Sequence, residues 1–263
     1  MAGRELADYQ ALIDCIRDYW NVQIHDEKIV KHAVGSEGFF EDLDDYRFDK
    51  LKYLPRLVDY AGYRDKLVLD VGCGVGTDLV RFARGGAVVH GVDLSEKAIE
   101  LAKKNFELRG GGCEADLRVM NAEALDYPDD YFDMVFAHGV IQYSADDRRL
   151  ADEAHRVLKP GGEFIAQVYN RKGWLKKMSR IFKVPLEHDD APGFKLHTIG
   201  EFRALLSKFS EVTITPERFP VRSRLHKGVK GFLYNTFFVG GFNLVPRPLV
   251  RRWGWHLMAS AIK

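Results

Sequence analysis

The run Asp70-Val71-Gly72-Cys73-Gly74-Val75-Gly76 concentrates residue types from which a small-molecule site can be built. Alternating glycines let backbone amides approach a ligand with no Cβ in the way, and a carboxylate stands just before them. A nicotinamide fingerprint would be G-x-G-x-x-G. Here the spacing is G-x-G-x-G, and Thr77 occupies the place the third glycine would take. The charge of Asp70 opposes a pyrophosphate and suits a cation or an ammonium group. Further on, Gly91-Val92-Asp93-Leu94-Ser95 offers a second acid, and a carboxylate at a strand end can accept both hydroxyls of a ribose. A nucleoside that also carries positive charge points to S-adenosylmethionine.

Such residues work only if regular elements hold them. Leu67-Val68-Leu69-Asp70-Val71 is an apolar run meeting the glycine turn, and residues 77–84 place Leu79, Val80, Phe82 and Ala83 on one helical face. A strand is expected at 88–92. A helix should follow, capped by Ser95, carrying Ala98, Leu101, Ala102 and Phe106, and ended by Gly110-Gly111-Gly112. Further strands are expected at 117–120, 134–137 and 164–169. Between the last two, a helix capped by Ser144 should carry Leu150, Ala154, Val157 and Leu158, with Pro160-Gly161-Gly162 terminating it. Beyond Asn170 the spacing predicts a helix over 200–209, a strand over 212–215 and a terminal strand over 255–262. Consecutively apolar strands alternating with helices imply a parallel sheet covered on both faces. The expected fold class is α/β: a doubly wound, mostly parallel seven-stranded sheet, with an N-terminal helical prelude and a C-terminal insertion before the last strand. In binding sheets of this kind ligands sit beyond the carboxyl ends of the strands.

Composition bounds the function classes. The 263 residues hold 46% hydrophobic and 29% charged side chains, as an ordinary globular chain does. A net charge of +1 gives no global argument for a nucleic-acid partner. Cys15, Cys73 and Cys113 form no CxxC or Cys/His pattern, so neither a disulfide framework nor a metal site is expected, and a cytoplasmic setting is the simplest. The opening MAGRELADYQ has no apolar h-region, so no secretory signal is expected. The uncharged stretch 231–246 is too short and too rich in glycine and asparagine for a transmembrane helix. The expected organisation is a helical cap over 1–65, a cofactor-binding core over 66–215, and a basic aromatic insertion or lid plus terminal strand over 216–263, all in one structural domain.

Several segments together carry a family resemblance: Val68-Leu69-Asp70-Val71-Gly72-Cys73-Gly74-Val75-Gly76, Gly91-Val92-Asp93-Leu94-Ser95, Asn121-Ala122-Glu123, Phe132-Asp133-Met134-Val135 and Arg156-Val157-Leu158-Lys159-Pro160-Gly161-Gly162. In order and spacing, residues 66–169 resemble class I S-adenosylmethionine-dependent methyltransferases, most of all the UbiE/type 11 group of small-molecule enzymes. The resemblance implies a Rossmann-like methyltransferase fold, S-adenosylmethionine as cofactor with S-adenosylhomocysteine as product, and methyl transfer to oxygen, nitrogen, sulfur or carbon of a small acceptor. It further implies that Gly72, Gly74 and Gly76 pass under the methionine portion and that Asp70 lies near its ammonium. Asp93 would take the ribose, Leu94 would pack against the adenine, and Asn121, Ala122 and Glu123 would line its edge, although Asp is more usual where Asn121 stands. His138 would pass the methionine and face the substrate. Arg47, in Asp44-Asp45-Tyr46-Arg47-Phe48, is a candidate partner for the cofactor carboxylate, since arginine can hold a carboxylate with two parallel hydrogen bonds.

Transfer from a sulfonium has a neutral leaving group, so alignment supplies much of the acceleration and a base is optional. Were one needed, histidine is the usual agent near neutral pH. His138 leads by position, with Tyr143 as a second catalytic candidate, and Tyr169, His188 and His197 as candidates to border the acceptor. The stretch 216–263 carries nine basic residues (Arg218, Arg222, Arg224, Lys227, Lys230, Arg247, Arg251, Arg252 and Lys263) against Glu217 alone, interleaved with aromatics. This mixture suits a lid over the acceptor, the favoured expectation, or contact of 216–255 with a membrane surface or lipid-like substrate. Packing of the aromatics against the sheet is the plain alternative. A cofactor-binding module without turnover, an RNA or protein methylating enzyme, and a nicotinamide oxidoreductase are the competing functions. The acceptor and the oligomeric state are not encoded in any spacing.

Overall fold

The computed structural model describes residues 2–182, 186, 188–220, 236, 239–246 and 250–263. The chain opens with α1 (Ala2–Val22), α2 (Glu37–Lys50) and a short α3 (Leu54–Leu57), then alternates β1 (Leu67–Val71), α4 (Thr77–Arg84), β2 (Val88–Asp93), α5 (Glu96–Arg109) and β3 (Ala115–Val119). It continues with β4 (Phe132–His138), α6 (Asp147–Val157), β5 (Leu158–Tyr169), α7 (Trp174–Phe182), α8 (Ile199–Leu205), β6 (Ser210–Glu217) and β7 (His256–Ile262). The seven strands lie in the order β3-β2-β1-β4-β5-β7-β6. The first five are parallel to their neighbours, and β7 runs antiparallel between β5 and β6. After β3 the chain crosses to the other side of β1, which creates a switch point where ligands bind in open α/β sheets.

Side-chain alternation divides the core into two layers. Val68, Met134, Phe136, Ile165 and Met258 pack under Leu79, Phe82, Ile99 and Leu54 on one face. Leu69, Val135, Ala166 and Ala259 meet Leu150, Ala154, Val157 and Phe202 on the other. Phe82 and Phe136 are essentially sealed from solvent and meet edge to face at 5.6 Å. Each fully buried side chain of this size contributes on the order of 1.5 to 3 kcal/mol, so the sheet is a stiff platform for the loops at its rim.

The expected elements are present, with differences at their ends: the helix expected over 200–209 stops at Leu205 and β4 begins at Phe132. The cap of α6 is Asp146, whose carboxylate accepts from the amides of Arg148 and Arg149; Ser144 instead closes the preceding 3-10 turn by donating to the Ile141 carbonyl. The helix stops at Val157, before Pro160-Gly161-Gly162, which lies inside β5. There the pairing with β4 jumps from Phe132↔Leu158 to Met134↔Glu163, and Gly161 takes a positive φ of 78°. The motif is an irregularity in a ladder rather than a helix stop. Finally, β3 begins two residues earlier than the apolar pattern predicts, because its pairing with β2 extends to Ala115.

Candidate active site

One cleft opens at the carboxyl ends of β1, β2, β4 and β5 and holds about 1660 Å³ of empty space, its open mouth included. Its floor begins at the glycine turn. Gly72 has φ 63°, and a Cβ built there would stand 2.3 Å from Val140 Cγ2, so the turn can approach the loop after β4 only with glycine. Gly74 also has positive φ, but a Cβ there would meet nothing within 4 Å: its space opens to the cleft. The turn is tied to the end of β2 by the Gly74 amide donating to Asp93 Oδ2 at 2.9 Å and the Cys73 amide donating to the Val92 carbonyl at 3.0 Å. Gly76 does not line the cleft; it precedes α4 and packs toward Ala102 and Phe106 of α5.

Three carboxylates converge on this floor. Asp93 accepts from Gly74 on one oxygen and from the Ser95 amide, at 2.9 Å, on the other, which leaves a lone pair on each. Burial raises its pKa against those N–H donors. Asp78 is paired with Arg47 Nη2 at 2.5 Å and accepts from Tyr60 Oη at 2.6 Å. Asp70 is only 3% exposed and lines the cleft, yet no described residue donates a hydrogen bond to it. Burial, with Asp78 and then Asp93 nearby, pushes its carboxyl well above the usual carboxylate range despite the Arg47 charge. A buried carboxylate in that position calls for a cation from outside the protein. Arg47 is thus already matched by Asp78, although its Nε–H, which is buried, has no partner among the described residues.

The opposite wall is built by α1. Ser95 caps α5 through the Ala98 amide and turns its own hydroxyl to Asn21 Oδ1 at 2.8 Å. Tyr9 Oη donates to Glu123 Oε2 at 2.9 Å, and Asn121 Nδ2 donates to Tyr9 Oη at 3.3 Å. The Ala145 and Asp146 amides also donate to Glu123. Glu123 is therefore a strut between α1 and the entry to α6. Pinned in this way, α1 lays Ile13, Ile16 and Trp20 over the cleft beside Leu94, Met120, Asn121 and Ala122.

His138 ends β4 at the other side of the cleft. Its Nε2 lies 3.0 Å from Tyr53 Oη, its ring stacks on Phe136, and burial with the nearby Arg47 charge lowers its pKa well below the ordinary value. Tyr143 and Tyr169 line the same end, with Tyr143 packed edge to face against Trp20 at 5.1 Å and Tyr169 stacked on Trp255 at 4.8 Å. Besides Gly76, two expected residues are not brought to the cleft. His188 sits outside it, with Nδ1 3.0 Å from Tyr19 Oη and its ring 5.0 Å from Trp20. His197 is buried, places Nε2 2.9 Å from Asp147 Oδ2 and bridges to Asn170, so it fastens the start of α6 to the end of β5. Sequence reasoning missed Tyr53, Asp78, Gln167 and His256, and placed Arg218 only among the basic residues of the expected lid. Of the missed residues, Asp78 alone carried a nearby signal, an acid in the first turn of the helix after the glycines. Of the residues 216–263, the stretches 221–235, 237–238 and 247–249 lie outside the described residues, and with them part of the expected lid.

The fold is a doubly wound, mostly parallel α/β sheet. Residues 69–166 match the family described as "Methyltransferase domain". A ubiquinone biosynthesis O-methyltransferase of Coxiella burnetii is 31% identical over 122 residues, covering 46% of this chain and 50% of that protein. A phosphatidylethanolamine N-methyltransferase of Cereibacter sphaeroides is 32% identical over 123 residues, covering 46% of this chain and 60% of that protein. The chain thus spans half to three-fifths of the length of these relatives. Among solved structures, geranyl diphosphate C-methyltransferase of Streptomyces coelicolor aligns with a TM-score of 0.59 at 19% identity, covering 95% of this chain and 98% of that one. At that identity the likeness is one of fold.

Proposed function

We propose that this protein transfers a methyl group from S-adenosylmethionine to a small-molecule acceptor by in-line displacement. The observation that carries this reading is Asp70: a buried carboxylate without a donor, in a cleft whose other acid, Asp93, keeps lone pairs for a ribose. The residues fit the cofactor. Asp70 suits its ammonium, Asp93 its ribose hydroxyls, the open face of Gly74 its methionine portion, and Leu94, Ala122 and the α1 wall its adenine. Arg47 Nε–H is available to its carboxylate. Bound there, the cofactor supplies an electrophilic methyl on a sulfonium. The acceptor's lone pair forms the new bond as the carbon–sulfur bond breaks, and the sulfur leaves as a neutral thioether. The protein's part is to hold the two in line and exclude water. His138 has Nε2 engaged by Tyr53, so it serves first to shape the acceptor end.

The cap at 1–65, the core at 66–215 and a lid region at 216–263 follow as a division of labour, supported by the way α1 roofs the cleft. A lipid-like acceptor reaching the 216–255 side is compatible with the phosphatidylethanolamine relative. The three cysteines are unpaired, which supports a reducing, cytoplasmic setting, and no helix among the described residues is long and apolar enough to cross a membrane. Incubating the protein with methyl-labelled cofactor and a panel of phenols, thiols, amines and quinone precursors tests the reading. Label should pass to at least one acceptor class; retention of all label by a protein that binds the cofactor would make it a binding module.

A further inference from the structure

A second set of polar side chains lines the half of the cleft away from the glycine turn. His138 faces Gln167 across β4 and β5, and Tyr169 faces His256 across β5 and β7, so alternation puts all four on one sheet face. Gln167 is 0% exposed, lines the cleft, and neither its amide nitrogen nor its oxygen has a partner among the described residues. Buried amides are almost always hydrogen-bonded, so this one is placed for a ligand.

Arg218 adds the second observation. Arg47, Lys50 and Lys97, which also line the cleft, are each matched by a carboxylate: Asp78 at 2.5 Å, Asp26 at 2.7 Å and Glu100 at 3.0 Å. Arg218 has no carboxylate partner among the described residues; its guanidinium meets only His256 Nε2, at 2.9 Å. Its backbone is anchored, the carbonyl accepting from Trp174 Nε1 at 2.8 Å and from the Trp255 amide at 3.3 Å. Because arginine can only donate, His256 Nε2 must accept, and the His256 proton then sits on Nδ1. That N–H donates to Tyr53 Oη, whose own proton goes to His138 Nε2. The chain therefore runs in one direction, and both histidines are held neutral beside a cation that has no counter-charge among the described residues.

We infer that Arg218, Gln167 and the His256–Tyr53–His138 chain form the acceptor subsite, and that it takes a small molecule bearing an anionic oxygen group, a carboxylate or a phosphate, held by Arg218. The planar fork of arginine matches either group with two parallel hydrogen bonds, and Gln167 is free to meet a neighbouring polar atom of the same molecule. This rests on the methyl-transfer reading of the cleft.

The test uses the full chain saturated with S-adenosylhomocysteine and four probes: benzoate, phenyl phosphate, methyl benzoate and benzamide. Binding is followed by ligand-observed NMR titration. At least one of the two anions should bind about tenfold tighter than both neutral probes, and which anion wins decides between carboxylate and phosphate. Arg218→Gln should abolish the preference, Arg218→Lys should keep part of it, and Gln167→Leu should weaken the preferred anion severalfold. S-adenosylhomocysteine affinity should be equal in all four proteins, which reports an intact fold. Equal binding of anions and neutral probes, or an anion preference that survives Arg218→Gln, overturns the inference. Failure of the wild-type protein to bind S-adenosylhomocysteine would instead fail the methyl-transfer reading.

Discussion

The two halves of the cleft are built in opposite ways. At the ends of β1 and β2 the floor comes from two short contiguous runs, 70–76 and 91–95, whose backbone amides and carboxylates hold one another directly. At the ends of β4 and β5 the polar side chains come from α2–α3, β4, β5, the end of β6 and β7, and the Tyr53–His256 hydrogen bond joins residues 203 positions apart. The first half depends on backbone geometry and tolerates little change. The second depends on side chains placed by the sheet, and these can be exchanged without disturbing the turn.

The sharpest way to break the first half is at its tightest point. Gly72→Ala forces a Cβ to 2.3 Å from Val140 Cγ2 at a φ of 63°, and should cost about 2 to 4 kcal/mol of stability along with S-adenosylhomocysteine binding. Adding Val140→Ala should recover part of the loss. Gly74→Ala, at a similar φ but with open space, should cost only about 1 to 2 kcal/mol. Thermal unfolding and calorimetry compare the three. Next in size, Asp93→Ala should weaken cofactor binding by ~1 to 3 kcal/mol through lost hydrogen bonds to the ribose.

Asp70 gives the comparison a pH axis. Its carboxyl is raised by burial and by its acidic neighbours, so as pH falls it takes up a proton before an exposed carboxylate does, and a neutral Asp70 offers nothing to an ammonium. Affinity for S-adenosylmethionine should therefore decline on going from pH 8 toward pH 5.5, and Asp70→Asn should bind weakly with a flatter profile. A wild-type affinity indifferent to pH, matched by the variant, would remove Asp70 from the cofactor half.

The acceptor half should respond in a different register. Tyr53→Phe removes the hydroxyl that meets His138 Nε2 and His256 Nδ1 and should lower stability by about 1 to 3 kcal/mol, with S-adenosylhomocysteine affinity unchanged. The smallest effect is expected at His197→Gln, which disturbs the tie to Asp147 by about 1 kcal/mol and should leave ligand binding untouched; loss of binding there would return His197 to the site.

How much was legible follows the same division. The strand, turn and helix around Asp70 and the Ser95 cap are local: an apolar run, glycines and a hydroxyl in sequence suffice to predict them, and the fold class follows from their repetition. Asp146 in place of Ser144, and Pro160-Gly161-Gly162 inside β5, show where local signals mislead, since either hydroxyl or carboxylate could cap and glycine serves a bulge as well as a helix end. His188 and His197, as histidines in a loop, suit a site by their sequence, but Tyr19 and Asp147 engage them elsewhere. Tyr53, Gln167, Arg218 and His256 carry no spacing at all. Only the pairing of β5 with β4 and β7 brings them to one place.

Calorimetric titration of the full chain with S-adenosylmethionine, S-adenosylhomocysteine and NAD addresses the central claim most directly. Saturable binding of the two sulfur nucleosides at one site, without a response to NAD, is the predicted result. Binding of NAD with silence toward both of the others would contradict the account.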